Sequence, residues 1–182
     1  TRAIVSGSAM APFYSEAFGM HINNIRQTGI PRTDVFFDGE YRKETVAALY
    51  ERYPQWKDKK IMLFAPTFRG SGNKTAFYPM ERFPIDLVMN ALPPDTVLLV
   101  KQHPFVHSDL SMYRECDFAD RLFDLTGKEN INDLLFITDL LVTDYSSSIF
   151  EAALIDIPMI FYAFDLEEYL RERDLYFDFA EF

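Results

Sequence analysis

Short apolar runs bounded by polar or proline-containing turns recur along the chain, at Ala3-Ser6, Ile25-Thr28, Lys60-Ala65, Val97-Lys101, Leu140-Thr143 and Met159-Phe164. Helical patterns separate them. Glu40 to Arg52 places Val46, Leu49 and Tyr53 at spacings of three and four, one face of a 3.6-residue period. Pro84 to Leu92 reads as a short helix with proline in its first turn. Residues 147–155 form another, and Leu166 to Arg173 a charged one after the last strand. Alternation of this kind predicts βα units and a parallel sheet flanked by helices, an α/β Rossmann-like fold. There is no internal repeat and no low-complexity run. A weak boundary lies between Asp34 and Lys60, so residues 1–182 are expected to be essentially one nucleotide-binding domain. Residues 1–52 are a candidate for the end of a preceding domain and its linker. The acidic, aromatic tail from Tyr176 to Phe182 is a candidate to fold back on the body.

Composition narrows the function. With 182 residues, 48% of them apolar, the chain can bury a sizeable core. A formal net charge of -10 argues against nucleic acid, whose binding depends on neutralising phosphates with Lys and Arg. Any bound anion must be held by backbone dipoles and a few well-placed cations. Cys116 has no internal disulfide partner, and no Cys/His cluster offers a zinc site. A reducing, cytosolic setting is expected. The sequon Asn73-Lys74-Thr75 is a match of the kind that arises by chance. No apolar stretch approaches the roughly 20 residues that span a bilayer, and no signal peptide precedes the first strand. The chain begins at Thr1 inside structured sequence, so it is expected to be a piece of a longer protein, with membrane anchors or further domains upstream.

The unusual residues follow the carboxyl ends of successive strands. Pro66-Thr67-Phe68-Arg69-Gly70 follows the third run, Gln102-His103-Pro104 the fourth, Asp144-Tyr145-Ser146-Ser147-Ser148 the fifth and Asp165 the sixth. Ligands of open α/β sheets bind outside those ends. One serine can cap the following helix while the others join its N–H groups around an anion. A phosphate is the natural guest, with Lys101, His103 and Arg69 supplying positive charge or hydrogen bonds. Each residue also has a plainer role: a serine run is commonly an N-cap, Asp144 favours a turn, Glu151 favours the helix dipole, and lone histidines such as His21 and His107 are commonly solvated. Their joint placement favours a phosphate-bearing ligand. No Gly-x-Gly-x-x-Gly, Walker sequence, Asp-x-Asp pair or Gly-x-Ser-x-Gly elbow is present, which disfavours dinucleotide redox chemistry, metal dependence and serine hydrolysis.

Taken in order, Gly29-Ile30-Pro31-Arg32-Thr33-Asp34, Ala65-Pro66-Thr67-Phe68-Arg69, Lys101-Gln102-His103-Pro104, Asp139 to Ser147, Phe150-Glu151 and Pro158 to Tyr162 with Asp165 and Tyr169 resemble the CDP-glycerol glycerophosphotransferase family, the teichoic-acid polymerases and primases. The resemblance runs from about Ser15 to Asp178. It implies a two-domain glycosyltransferase-B-like (GT-B) fold of which this chain supplies mainly the C-terminal, donor-binding half. It also implies transfer of glycerol phosphate or ribitol phosphate from its CDP ester to a hydroxyl of a growing cell-surface polymer, releasing CMP. By resemblance, His103 would contact or activate the donor diphosphate. Ser146, Ser147 and Ser148 would bind phosphate, Glu151 the ribose or cytidine hydroxyls, and Arg69 and Arg173 would neutralise charge. Thr67, Lys101, Pro104 and Asp144 complete the expected substrate-binding set. Here Arg173 is followed by Asp174 where the family often has glycine, a departure from the family's pattern.

The implied partners are CDP-glycerol or CDP-ribitol and a polyol-phosphate polymer or lipid-linked acceptor, with no cofactor, no metal and no nucleic acid. The implied place is the inner face of the cell membrane, reached through regions outside this chain. The family's base is a histidine in a His-Gly-Thr-type motif absent here, so the chain alone is expected to bind donor and catalyse little. Two other functions compete: a sugar-nucleotide glycosyltransferase or epimerase on the same fold, and a non-catalytic module that docks partners through its aromatic surface.

Overall fold

A computed structural model describes residues 1–72, 74–106 and 110–173. Asn73 of the sequon, His107 and the aromatic tail lie outside the described residues. The chain divides into two units, Thr1–Glu44 and Thr45–Phe182.

In the first unit a parallel pair, β1 (Ala3–Val5) and β2 (Ile25–Gln27), is joined through α1 (Ala11–Ala17). Val5, Ala11 and Ile25 form its small core, flanked by Ala3, Met10 and Met20. Pro12 sits in the first turn of α1, where the missing N–H costs nothing. Helix α2 (Gly39–Arg52) runs across the division of the chain. It starts where Asp38 Oδ1 accepts from the Glu40 and Tyr41 N–H groups, both at 3.0 Å.

The second unit contains β3 (Lys60–Phe64), α3 (Ile85–Ala91), β4 (Thr96–Val100), β5 (Leu122–Asp124), α4 (Ile131–Leu135), β6 (Leu140–Thr143), α5 (Ser148–Leu154), β7 (Met159–Phe161) and α6 (Leu166–Glu172). Its strands form one five-stranded, all-parallel sheet in the order β5-β4-β3-β6-β7. All five residues of β4 and four of the five in β3 are buried, as expected of strands covered on both faces. Met62, Phe64, Leu98 and Val100 face one layer, where they meet Phe83, Ile85 and Met89, and Phe64 stacks on Phe83 at 3.8 Å. Alternation sends Ile61, Leu63 and Leu99 to the other face. On that side Trp56, fully buried, stacks on Tyr53 at 3.9 Å and meets Phe123 edge-on at 5.4 Å.

Six expected strands lie where the apolar runs placed them: Leu140–Thr143 matches at both ends, and the ends of the others differ by at most three residues. The seventh, β5, was not expected: it is half-buried throughout and lies in no continuous apolar run. The last strand ends at Phe161 rather than Phe164. Helices α1 and α4 also escaped the pattern. Ala65 and Lys101 fall just past β3 and β4, yet their N–H groups still donate across the sheet, to Val142 O at 2.9 Å and Phe64 O at 2.8 Å. From β3 the chain moves outward through β4 to β5, then returns to the opposite side of β3 with β6. The strand order therefore reverses between β3 and β6, the place where doubly wound sheets open a binding crevice.

Candidate functional site

The turns after β3 and β6 flank that reversal, and a buried carboxylate joins them. Asp144, 1% exposed, accepts from the Thr67 N–H at 2.7 Å and its neighbour Tyr145 N–H at 2.6 Å through Oδ1. Its Oδ2 accepts from Arg69 Nη2 at 3.0 Å. Arg69 also donates from Nε and Nη2 to Asp165 at 2.7 and 2.9 Å, and from Nη1 to the Thr67 carbonyl. The Tyr145 hydroxyl donates to Asp165 at 3.1 Å, and its ring stacks on Tyr169 at 3.8 Å. One guanidinium thus bridges two carboxylates, ringed by Tyr78, Tyr145 and Tyr169 with its carbon 5.1–5.5 Å from their centroids.

Electrostatics follow from this burial. Burial works against the Arg69 cation, but hydrogen bonds and charge from Asp165 and Asp144 more than offset it and raise its pKa. Burial raises the Asp165 carboxyl, yet the hydrogen bond and charge of Arg69 and the Tyr145 hydroxyl hold it below the ordinary value. Burial and the neighbouring carboxylates push the Tyr145 and Tyr78 phenols up. Arg69, expected as an anion ligand, and Asp144, expected as a substrate ligand, form a buried ion pair. Both are engaged with each other, because a buried charge without a partner is costly.

The serine run continues from Asp144. Ser147 occupies the N-cap position of α5, but its side chain makes no capping bond and it is exposed. Ser146 instead accepts from the Ser148 N–H at 3.3 Å, and the two hydroxyls lie 2.9 Å apart. Ser148 is buried, as is Glu151 one turn on. The expected side-chain cap thus falls to Ser146 rather than to the residue at the helix boundary.

On the other flank, the turn after β4 carries Lys101, Gln102, His103 and Pro104. His103 Nδ1 accepts from the Phe105 N–H at 3.2 Å, so in the neutral ring the proton belongs to Nε2, which remains a donor. The ring lies between Phe68 and Phe105, with centroids at 4.8 and 4.5 Å. Desolvation, then the positive charge of Lys101, lowers the His103 pKa. Lys101 is 8% exposed; desolvation lowers its pKa too, against the attraction of Asp124 and Glu129. Pro104 is exposed in the turn that the Val106 N–H closes on the His103 carbonyl at 2.9 Å. Arg173 Nη2 donates to the Gly70 carbonyl and its guanidinium lies over Phe68 and Tyr169.

Other polar groups from the same strand-end turns also gather here. Asp165 and Tyr145 are central to the ionic cluster; the sequence showed both at strand ends and among the residues of the resemblance, but assigned neither a role. Gln102, 1% exposed, and the Thr67 hydroxyl are buried without a hydrogen-bond partner for their side-chain polar atoms among the described residues. A cleft of about 430 Å³ opens beside Arg69, lined by Phe77, Glu81, Arg82, Phe164, Glu168 and Glu172 among others. None of the serines lines it, and its glutamates repel phosphate. No group of three or more His, Cys, Asp or Glu among the described residues is placed to hold a metal. No helix among them is long and apolar enough to cross a membrane.

Comparison with known proteins places this geometry in context. The family model described as CDP-Glycerol:Poly(glycerophosphate) glycerophosphotransferase matches residues 1–182. The teichoic acid poly(ribitol-phosphate) polymerase of Bacillus spizizenii (strain ATCC 23059 / NRRL B-14472 / W23) is 44% identical over 182 residues, covering 100% of this chain and 29% of that protein. The teichoic acid ribitol-phosphate polymerase TarK of Staphylococcus aureus (strain NCTC 8325 / PS 47) is 45% identical over 183 residues, covering 100% of this chain and 35% of that protein. Relatives named for glycerol phosphate share 30–32%. The structure of the wall teichoic acid polymerase TagF superposes with a TM-score of 0.77 at 26% identity, over 98% of this chain and 44% of that one. The parallel sheet and its helices are thus the Rossmann-like half of a GT-B-like fold.

Proposed function

The chain belongs to the CDP-glycerol:poly(glycerophosphate) glycerophosphotransferase family, and from that premise we propose that it is the donor-binding part of a transferase moving a polyol phosphate from its CDP ester to a hydroxyl of a growing polymer. The observation that carries the reading is the placement of the serine run in the turn after β6, at the reversal of strand order, with His103 in the turn after β4 packed against Phe68 of the turn after β3. Because the relatives named for ribitol phosphate are more similar than those named for glycerol phosphate, the donor we assign is CDP-ribitol. Helix α5 has only seven residues, so phosphate binding rests on the Ser146–Ser148 hydroxyls and amides, the His103 Nε2 proton and the nearby Lys101 charge rather than on a long macrodipole.

Phosphoryl transfer needs positioning and charge stabilisation more than covalent help from the protein. Here His103 would donate to the donor diphosphate and stabilise charge as the CMP oxygen departs, and Glu151 would receive a ribose hydroxyl. The base for the acceptor hydroxyl would come from outside this chain. The same reading assigns residues 1–52 to the end of a neighbouring domain and its linker, and places the whole enzyme at the inner membrane face through regions not in this chain.

Titration of the chain with CDP-ribitol, CDP-glycerol, CMP and UDP-glucose, by calorimetry, tests the reading. Binding of the CDP esters, CDP-ribitol strongest, with a loss of about tenfold in His103→Ala is expected. UDP-glucose binding tighter than either CDP ester would replace the proposal with a sugar-nucleotide transferase.

A further inference from the structure

Arg69 sits where an anion ligand would be sought, at the strand-order reversal beside the serine run. Its geometry serves a different purpose. Nε and Nη2 meet Asp165, Nη2 also meets Asp144, and Nη1 meets the Thr67 carbonyl. The side chain is 8% exposed, and those of Asp144 and Asp165 are 1% and 12% exposed. Turning the guanidinium toward a phosphate would strip a buried carboxylate of its cation, a loss more costly than the pair is worth. The cleft beside Arg69 carries Glu81, Glu168 and Glu172 against one further cation, Arg82, so its net charge repels a phosphate.

Resting on the donor-binding reading above, we propose that Arg69 and Asp165 are positioning residues that lock three strand-end turns together and thereby hold Ser146–Ser148 in their binding arrangement. The connections are specific. Asp144, which Arg69 holds, fixes the turn after β3 through the Thr67 N–H and the start of the serine run through the Tyr145 N–H. Asp165, which follows β7, holds the same turn from its other end through the Tyr145 hydroxyl, while Tyr169 stacks on that ring. Ser146 is therefore attached to a residue restrained at both backbone and side chain. In this arrangement the cationic and N–H contacts to the donor diphosphate come from His103, Lys101 and the serines, and Arg69 touches no substrate atom.

Asp165→Asn in the 182-residue chain separates this assignment from direct phosphate binding, because the two predict opposite signs. Neutralising Asp165 frees part of the guanidinium and removes one negative charge. If Arg69 were a phosphate ligand, CDP-ribitol and inorganic pyrophosphate would bind more tightly. As a positioning pair, its disruption weakens both by about tenfold through misplacement of the serines. The amide signals of Thr67, Tyr145 and Ser146–Ser148 shift and exchange faster at the same time. Glu167→Gln, an equal charge change at an exposed site in the first turn of α6, leaves affinity and those signals unchanged. Tighter binding by Asp165→Asn, or unaltered signals, would overturn the proposal. Should that variant not fold, Tyr145→Phe, which removes the hydroxyl bond to Asp165 and keeps the ring, carries the test: weaker binding with shifted serine amides supports the proposal, and wild-type values for both refute it. If the wild-type chain binds no CDP ester, the functional reading fails, and amide exchange alone decides. Protection of Thr67 and Tyr145 retained in Asp165→Asn would then refute the positioning role as well.

Discussion

His103 shows how a single side chain acquires its chemistry from its neighbours. Its residue type and place after an apolar run were plain in the sequence, but its state was not. The bond from the Phe105 N–H fixes the acceptor nitrogen, and desolvation and then the charge of Lys101 disfavour the cation. A folded-state pKa below the unfolded value of about 6.5 means that folding disfavours protonation. The stabilising contribution is present above that value and is lost as pH falls through the folded pKa. Between pH 8 and 5 the wild-type chain is expected to lose stability that His103→Gln does not lose, measured by urea unfolding at each pH. A diphosphate bound at Nε2 favours the cation and moves the His103 pKa upward, which ring NMR titration reads directly. A lower pKa in the presence of CDP would place the diphosphate elsewhere. Arg69 teaches the converse lesson: an arginine near a glycine-containing turn reads as a free cation, and only the approach of Asp144 and Asp165 shows that its charge is already matched.

At the scale of elements, the segment between β3 and α3 positions the site through one close approach. Arg69 and Phe77 pair as an antiparallel bridge, with bonds of 2.7 and 3.1 Å, and Gly70 makes the turn at φ +85°. A Cβ there would lie 2.1 Å from the Thr75 carbonyl oxygen. Gly70→Ala therefore carries both a left-handed backbone penalty and a clash, and is expected to cost about 2 kcal/mol or more. Urea unfolding followed by the fluorescence of Trp56 measures it; a change below about 0.5 kcal/mol, the usual range of a neutral surface substitution, would show that the turn relaxes freely. Longer elements were legible because their signals are local. Helix α2 announced itself by Val46, Leu49 and Tyr53 on one face, and β3 and β4 by continuous apolar runs. The half-buried β5 has charged Arg121 and Asp124 at its ends and shows no apolar run to mark it, and five-residue α4 has too few positions for a period to register, although Asn130 caps α4 by accepting from the Asn132 N–H at 3.0 Å.

At the scale of the whole molecule, a net charge of -10 opposes any anionic ligand at long range, while a few buried donors hold it at short range. Association of a CDP ester is therefore expected to accelerate as ionic strength rises from about 0.01 M to 0.15 M, since the Debye length falls from about 30 to 8 Å and screens the distant carboxylates. Stopped-flow binding checks this; slower association at higher salt would mean that the cations around His103 dominate the approach. The sequence alone determined the βα alternation, the parallel sheet and the family, and it placed the polar residues at strand ends, because apolar runs, turn residues and ordered motifs are written in neighbouring positions. Tertiary structure alone decided which strand ends stand side by side. Arg69 meets Asp144 and Asp165 across 75 and 96 residues of chain, and that meeting separates an ion-paired arginine from a free one. The cause is burial: the partner a charge requires in a low-dielectric interior is set by the order of strands in space, which no local pattern encodes.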